Sequence, residues 1–220
     1  MPVRQVQQIG HNIIGGVPSR KLGRMVHFES LIEERYIRLI EYAPEVVWYE
    51  EQPCTIRYRA NHHDHPYTPD VLVRWRSGTT TLVECKPQHQ VSDPKNALKW
   101  TAARLWCAAQ QWTFVVVTDA TLLPFAPLLD NLRLLLSHAH HPVPPEVREI
   151  VLRVMHDIGG QCSIATLMEH CPQLDPLLDR THVLALLYDG ILSADLTQPL
   201  HLAETIIAWK GAADAPTRCL

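Results

Sequence analysis

The stretch that most narrows the fold lies between residues 69 and 86. From Asp70 to Trp75 the chain alternates, with Val71, Val73 and Trp75 on one parity and Leu72 and Arg74 on the other. Ser77-Gly78 is a turn signal, and Thr79 to Lys86 is a second strand-forming run. Two strands joined this way pair antiparallel. Side chains at i and i+2 share a strand face, so Glu84 and Lys86 point one way and Cys85 the other. The turn returns this strand beside the one that starts at Pro69-Asp70. Two carboxylates and one ammonium group can then converge at one edge of a sheet.

The surroundings extend this hairpin into a mixed α/β domain. A helix is expected from Phe28 to Tyr42, ended by Pro44. Strands are expected at Val46 to Tyr49 and Thr55 to Arg59, interrupted by Pro53. A helix from Lys95 to Gln111 opens at Pro94, Phe114 to Thr118 reads as a buried strand, and a helix from Leu122 to Ser137 follows. Hairpin strands, then a helix, then a returning strand fit a mixed sheet flanked by helices. Trp100, Trp106 and Trp112 are read as core. Residues 1–26 form a basic N-terminal arm, read as irregular from Gly15-Gly16 and Pro18-Ser19, and residues 27–137 form the catalytic domain.

Residues 138–145, rich in Pro and His, read as a linker, and 146–220 as a C-terminal domain. Helices are expected at Glu146 to Ile158, at Ser163 to Cys171 with Ser163 as cap, and at Leu178 to Tyr188. Two strand-like runs, Ile191 to Leu196 and Leu200 to Ile207, complete the layout of a winged helix-turn-helix.

The charge pattern separates the two halves. The whole chain has a net charge of -3, which argues against a simple basic DNA-coating protein. Residues 1–141 hold 15 Lys and Arg against 13 Asp and Glu, a net of +2, whereas residues 142–220 hold 5 against 10, a net of -5. The front half is the one suited to meet phosphate. The six cysteines form no CxxC pair, which leaves a zinc ribbon without support, and reduced thiols in a prokaryotic cytoplasm are expected. The histidines gather as His62, His63, His65 and as His138, His140, His141, in stretches that read as loops with a structural or incidental role. No apolar run approaches the ~18 residues of a membrane span.

Asp70, Glu84 and Lys86 together suit phosphodiester hydrolysis. Carboxylates bind Mg²⁺, a hard, oxygen-seeking cation. A lysine beside them can orient or deprotonate water and offset charge on the transition state. The helix offers a further carboxylate. On a wheel, Glu33 and Glu29 lie on or at the edge of the apolar arc that holds Phe28, Ile32, Tyr36, Leu39 and Ile40, while Glu34 lies on the other side. Glu33 and Glu29 both stand as candidates. Gln52, beside Pro53, is a possible addition. Arg20, Lys21 and Arg24 in the arm and Lys95 and Lys99 on the second helix are candidates for phosphate contact.

At these residues the sequence resembles the TnsA endonuclease family. The resemblance runs through Pro18-Ser19-Arg20-Lys21, Phe28-Glu29-Ser30-Leu31-Ile32-Glu33, Glu51-Gln52-Pro53, Tyr67-Thr68-Pro69-Asp70 and Leu82-Val83-Glu84-Cys85-Lys86-Pro87, roughly residues 18–118. It departs at Glu34-Arg35, where the family often has Arg-Asp. The resemblance implies a restriction-endonuclease-like fold of the PD-(D/E)xK type. It implies an endonuclease subunit of a heteromeric cut-and-paste transposase that cuts the 5′ (non-transferred) strands at transposon ends. A DDE-type subunit (TnsB-like) and an AAA+ regulator (TnsC-like) are the implied partners, the regulator docking on the C-terminal domain. Carried over by position, Glu33, Asp70 and Glu84 would hold metal and Lys86 would be the catalytic lysine, with the Cys85 backbone carbonyl as a further donor. The expected cofactor is Mg²⁺, two ions, with Mn²⁺ able to substitute.

Three other readings compete. A stand-alone restriction or repair nuclease of the same fold would cut DNA without a partner. An inactive adaptor has no need of three converging charges. A winged-helix transcription regulator would need a basic third helix, and Leu178 to Tyr188 offers only Arg180 and His182 in a domain that would repel phosphate.

Overall fold

The computed structural model describes residues 13–60, 62–172, 176–209 and 211. The chain divides into two compact units, Met1–Pro124 and Phe125–Leu220.

The first unit is built on a four-stranded mixed sheet of order β3-β6-β7-β8, comprising β3 (Val46–Glu51), β6 (Val71–Trp75), β7 (Thr80–Cys85) and β8 (Thr113–Val117). β6 pairs antiparallel with both β3 and β7, and β8 runs parallel to β7. The expected hairpin is present, with Leu72 paired to Leu82 and Val71 to Val83. Its turn uses Gly78 at φ 87, a left-handed conformation that glycine adopts without strain. The antiparallel step closes through a two-strand turn, whereas the parallel step to β8 needs a crossover, supplied by helix α2 (Pro94–Ala109). Leu72 and Leu82 pack with Trp100, Ala103 and Cys107 of α2. Trp100 is core as expected, and Trp106 and Trp112 are partly buried and meet edge to face, ring centroids 5.4 Å apart.

Helix α1 spans Leu31–Tyr42 and starts later than its apolar pattern suggests. Ser30 is the N-cap: its hydroxyl accepts from the Glu33 N–H at 3.2 Å and donates to Glu33 Oε1 at 2.8 Å. The Ser30 side chain thus caps the first turn. Glu29 therefore precedes the helix and is not on its wheel.

Two ribbons differ from the sequence reading. The arm read as irregular carries an antiparallel hairpin, β1 (Gly15–Ser19) with β2 (Arg24–Phe28); residues 1–12 lie outside the described residues. Buried acceptors hold it in place. Glu41, 2% exposed, accepts from Ser19 Oγ at 2.6 Å, the Arg20 N–H at 2.9 Å and Tyr49 Oη at 2.8 Å. Lys21 Nζ donates to the carbonyls of Ile40 and Ala43, acceptors that the end of α1 leaves open, and to that of Val46. The second ribbon pairs β4 (Ile56–Ala60) with β5 (His63–Tyr67), so His63 and His65 are strand residues rather than loop residues. Pro66 is tolerated there because a two-stranded ribbon leaves outer N–H positions unused.

The second unit is mainly helical: α4 (Ala126–His138), α5 (Pro145–Asp157), α6 (Ile164–Glu169) and α7 (Pro176–Tyr188), with a short ladder of β9 (Gln161–Ser163) and β10 (Ile206–Ala208). The helix expected over Leu122 to Ser137 is interrupted. A short helix α3 (Asp119–Leu122) and a 3-10 turn precede α4, where Pro124 and Pro127 remove backbone donors. By packing, α4 lies with α7 in the second unit, whereas the sequence reading carries the catalytic domain to residue 137. The expected terminal strands are reduced to a bridge at Ser193 and the three residues of β10. Asn131 explains part of this: its side chain takes the carbonyls of Leu196 and Gln198 and the N–H of Leu200, which a strand ladder would otherwise use.

Replacing Glu41 with Ala should destabilise the protein by about 3 kcal/mol, because it strips several buried donors of one acceptor. Denaturant unfolding checks this; a change below about 1 kcal/mol would show that the N-terminal hairpin does not depend on Glu41.

Candidate active site

The end of β6 and β7 gathers the residues singled out above. Asp70 sits just before β6, where its N–H donates to the Val83 carbonyl at 3.0 Å and its Oδ2 accepts from the Cys85 N–H at 2.6 Å. Glu84 shares the strand parity of Leu82 and faces α2. It is 3% exposed; its Oε2 accepts from Tyr67 Oη and its Oε1 from Lys99 Nζ, each at 2.7 Å. Lys86 follows β7, with its N–H bonded to the Val117 carbonyl at 2.8 Å. Glu33 enters from the first turn of α1, where its Oε2 also accepts from the Glu29 N–H at 2.8 Å.

Electrostatics show that these groups act on one another. The Asp70 carboxyl keeps some accessible surface but is densely surrounded. Desolvation pushes its pKa well above the ordinary range; Glu84 and then Glu33 add to the shift, and the Cys85 N–H and Lys86 oppose it. Glu33 is pushed up as well, first by desolvation, with Glu29 and Glu84 as like-charged neighbours. The Cys85 thiol and the Tyr67 phenol are raised, both chiefly by burial. The structure thus brings Glu33, Asp70, Glu84 and Lys86 together. Glu29 is one step away: its Oε1 accepts from Gln52 Nε2 at 3.2 Å.

Gln52 has an unusual backbone. Its φ is 46, left-handed for a residue with a side chain, and its N–H donates to the Asp70 carbonyl at 2.7 Å. Such strain costs on the order of 1–3 kcal/mol and persists where the surroundings enforce it. Because the Gln52 amide nitrogen donates to the Glu29 carboxylate, its oxygen is left as a buried acceptor without a partner.

Several candidates for phosphate contact have internal partners. Lys21 caps α1, Arg24 makes a two-pronged pair with the buried Glu51 at 2.6 Å on each prong, and Lys99 bonds Glu84. Lys95 stays exposed at the start of α2, and Arg20 is exposed while its N–H bonds Glu41. Tyr67 and Lys99 are the site residues that sequence reasoning missed as partners of Glu84. A wheel of α2 carries the signal: Asn96, Trp100, Ala103 and Cys107 form the buried stripe, and Lys99 lies at its edge.

Among the described residues, no three His, Cys, Asp or Glu side chains form a ready cage for a metal ion. The donor chemistry nonetheless fits a hard divalent cation. Asp70 and Glu33 are desolvated and have like-charged neighbours, and oxygen donors of this kind suit such an ion.

A mixed sheet thus brings carboxylates and a lysine to one end of a β-hairpin. Residues 43–119 match the family model described as TnsA-like endonuclease N terminal, and this stretch of the chain is a TnsA-like endonuclease domain. Such a domain implies nuclease activity with DNA as the substrate. No curated protein matches the chain. No helix among the described residues is long and apolar enough to cross a membrane.

The raised Asp70 pKa has a stability consequence. Below the ordinary value of 3.8, Asp70 is protonated whether the chain is folded or not, and no penalty arises. As the pH rises toward the raised folded value, the unfolded chain ionises first and stability falls. Asp70→Asn should therefore raise the Tm of the chelator-treated protein at neutral pH, and the gain should vanish on acidification below the ordinary value. An unchanged or lowered Tm at pH 7 would contradict the crowding of charges at Asp70.

Proposed function

We propose that this chain is the metal-dependent DNA endonuclease subunit of a heteromeric transposase, cleaving the 5′ (non-transferred) strands at transposon ends during cut-and-paste transposition. The observation that carries the reading is the convergence of Asp70, Glu84, Glu33 and Lys86 within and beside a TnsA-like endonuclease domain. The element order α1, β3, β6, β7, α2, β8, with β8 parallel to β7, supports a restriction-endonuclease-like PD-(D/E)xK fold.

Mg²⁺, or Mn²⁺ in its place, would be held by Asp70, Glu84 and Glu33 with the Cys85 backbone carbonyl, and when bound supplies positive charge against the scissile phosphate and acidifies water. The chain's own groups do the rest. Lys86 orients the attacking water, takes or shares its proton, and offsets charge on the transition state. The Cys85 N–H fixes one oxygen of Asp70, which leaves the other directed by the backbone geometry. Gln52 holds the Asp70 backbone from the opposite side through its own N–H.

The second unit supports a docking role rather than DNA reading. The order α5, β9, α6, α7, β10 fits a winged-helix-like domain. In such domains the third helix enters the major groove. Here α7 is the core of its unit: Val183 to Tyr188 are all buried, and His182 is 8% exposed. Only Arg180 of the two expected contacts is exposed. With the net of -5, this helix cannot serve as a phosphate-facing reader. The reading assigns this unit to the AAA+ regulator, with the DDE subunit supplying recognition of the ends.

The decisive measurement is strand-specific cleavage of transposon-end DNA with both partners present. The parent should cut the 5′ strands in Mg²⁺, and Asp70→Ala should lose activity by on the order of 10³-fold or more. Persistent 5′ cuts in Asp70→Ala would overturn the site. Robust cleavage by the chain alone would instead favour a stand-alone restriction or repair nuclease. A further assay concerns the second unit: its removal should abolish binding of the regulator to a similar degree at low and high salt. Retained regulator binding with lost DNA affinity would reverse the assignment.

A further inference from the structure

Glu84 has both oxygens engaged, and its partners also engage each other. Tyr67 Oη donates to one oxygen and Lys99 Nζ to the other, each at 2.7 Å. Lys99 Nζ also lies 5.0 Å from the centroid of the Tyr67 ring and 5.8 Å from that of Trp100. The three groups close into a ring of contacts, with the Lys99 side chain 17% exposed and that of Glu84 4% exposed. An ammonium group withdrawn this far from water needs strong compensation. A charge-assisted hydrogen bond and two aromatic faces provide it.

The site is short of positive charge. Asp70 has Glu84 and Glu33 as like-charged neighbours and Lys86 as an opposing one, and Lys99 bonds Glu84, so three carboxylates are set against two ammonium groups. Of the two lysines, Lys99 is the one directly bonded to a carboxylate oxygen. We propose that Lys99 is the positioning residue of Glu84, a built-in counter-cation that holds this carboxylate in the metal-free protein and competes with a divalent cation for it. The proposal rests on the nuclease reading above and deepens it. Lys86 keeps the chemical role, and Lys99 sets how readily Glu84 is released to a metal.

The consequence runs opposite to a merely structural role. A lysine that only supported the fold would, when removed, weaken every property of the site. A competing cation, when removed, weakens the metal-free protein but leaves Glu84 more available, so metal binds more tightly.

The test uses the full chain, stripped with chelator and titrated with Mg²⁺ alone by calorimetry, with Tm measured at each step. Lys99→Gln should lower the metal-free Tm and bind Mg²⁺ on the order of tenfold more tightly, the change expected when one charge-assisted hydrogen bond is lost from the competing side. Its Mg²⁺-induced rise in Tm should exceed that of the parent. Lys99→Arg, which keeps the charge, should restore parental affinity. Should Lys99→Gln fail to fold, Lys99→Met offers similar length without charge and carries the same expectation. Tyr67→Phe removes a hydrogen bond from Glu84 but no charge, and should leave Mg²⁺ affinity within about threefold of the parent.

Equal or weaker Mg²⁺ binding in the uncharged Lys99 variants overturns the proposal. If the parent binds Mg²⁺ and Glu84→Gln reduces that binding, the nuclease reading survives that loss. If neither the parent nor any variant binds Mg²⁺, the functional reading falls and the proposal falls with it.

Discussion

Mutual repulsion among Glu33, Asp70 and Glu84 governs how the residues around the end of β6 and β7 are arranged. Burial raises the cost of ionising Asp70 and Glu33; Glu84 and Glu33 add to it at Asp70, and Glu29 and Glu84 at Glu33. The fold answers with a separate compensation for each. Asp70 has the Cys85 N–H, Glu84 has Tyr67 and Lys99, and Glu33 has the Ser30 hydroxyl and the Glu29 N–H at the positive end of α1. These partners differ in kind. Backbone N–H groups cannot leave, a helix cap can open at the first turn, and a lysine side chain can swing away. By what holds them, Asp70 is the most fixed of the three carboxylates and Glu84 the one with the most movable partner.

The same reasoning changes how the positive charge of the front half is to be counted. A net of +2 over residues 1–141 suits contact with phosphate. Yet Lys21 is bonded to the carbonyls at the end of α1, Arg24 to Glu51 and Lys99 to Glu84. Charges engaged this way contribute little to counterion release when DNA arrives. The exposed cations of this unit include Arg57 and Arg59 on the β4–β5 ribbon and Lys95 and Arg104 on α2.

Legibility in the sequence followed the strength of local signals. The β6–β7 hairpin was readable because alternation and a Ser-Gly turn agree, and with it the meeting of Asp70, Glu84 and Lys86. Apolar spacing at Phe28 continues the helical pattern one turn too early, although Ser30, a good N-cap residue, marks the true start of α1. Strand β5 was hidden by His63-Asp64-His65-Pro66, whose polarity reads as loop; tertiary pairing with Ile56 to Ala60 overrides it. The N-terminal ribbon was hidden in the same way by glycine and proline, and what holds it, Glu41, lies 22 residues away from Ser19 in sequence. Tyr67 and Lys99 reach Glu84 from 17 and 15 residues away; the wheel of α2 puts Lys99 at the edge of the buried stripe but does not name Glu84 as its partner.

Glu33 and Glu29 illustrate how structure separates two residues that the wheel could not. Both lie beside the site, but only Glu33 acts directly on Asp70. Glu29 precedes the cap and its carboxylate receives the Gln52 amide, whose backbone in turn donates to Asp70. The chain Glu29, Gln52, Asp70 is thus a support running behind the site, and the strain at Gln52 is sustained from both ends of it. A ligand must be able to turn its charge toward a cation; a support must keep its partner still. On that distinction Glu33 belongs to the carboxylate cluster, while Glu29 and Gln52 belong to the frame that keeps Asp70 in place.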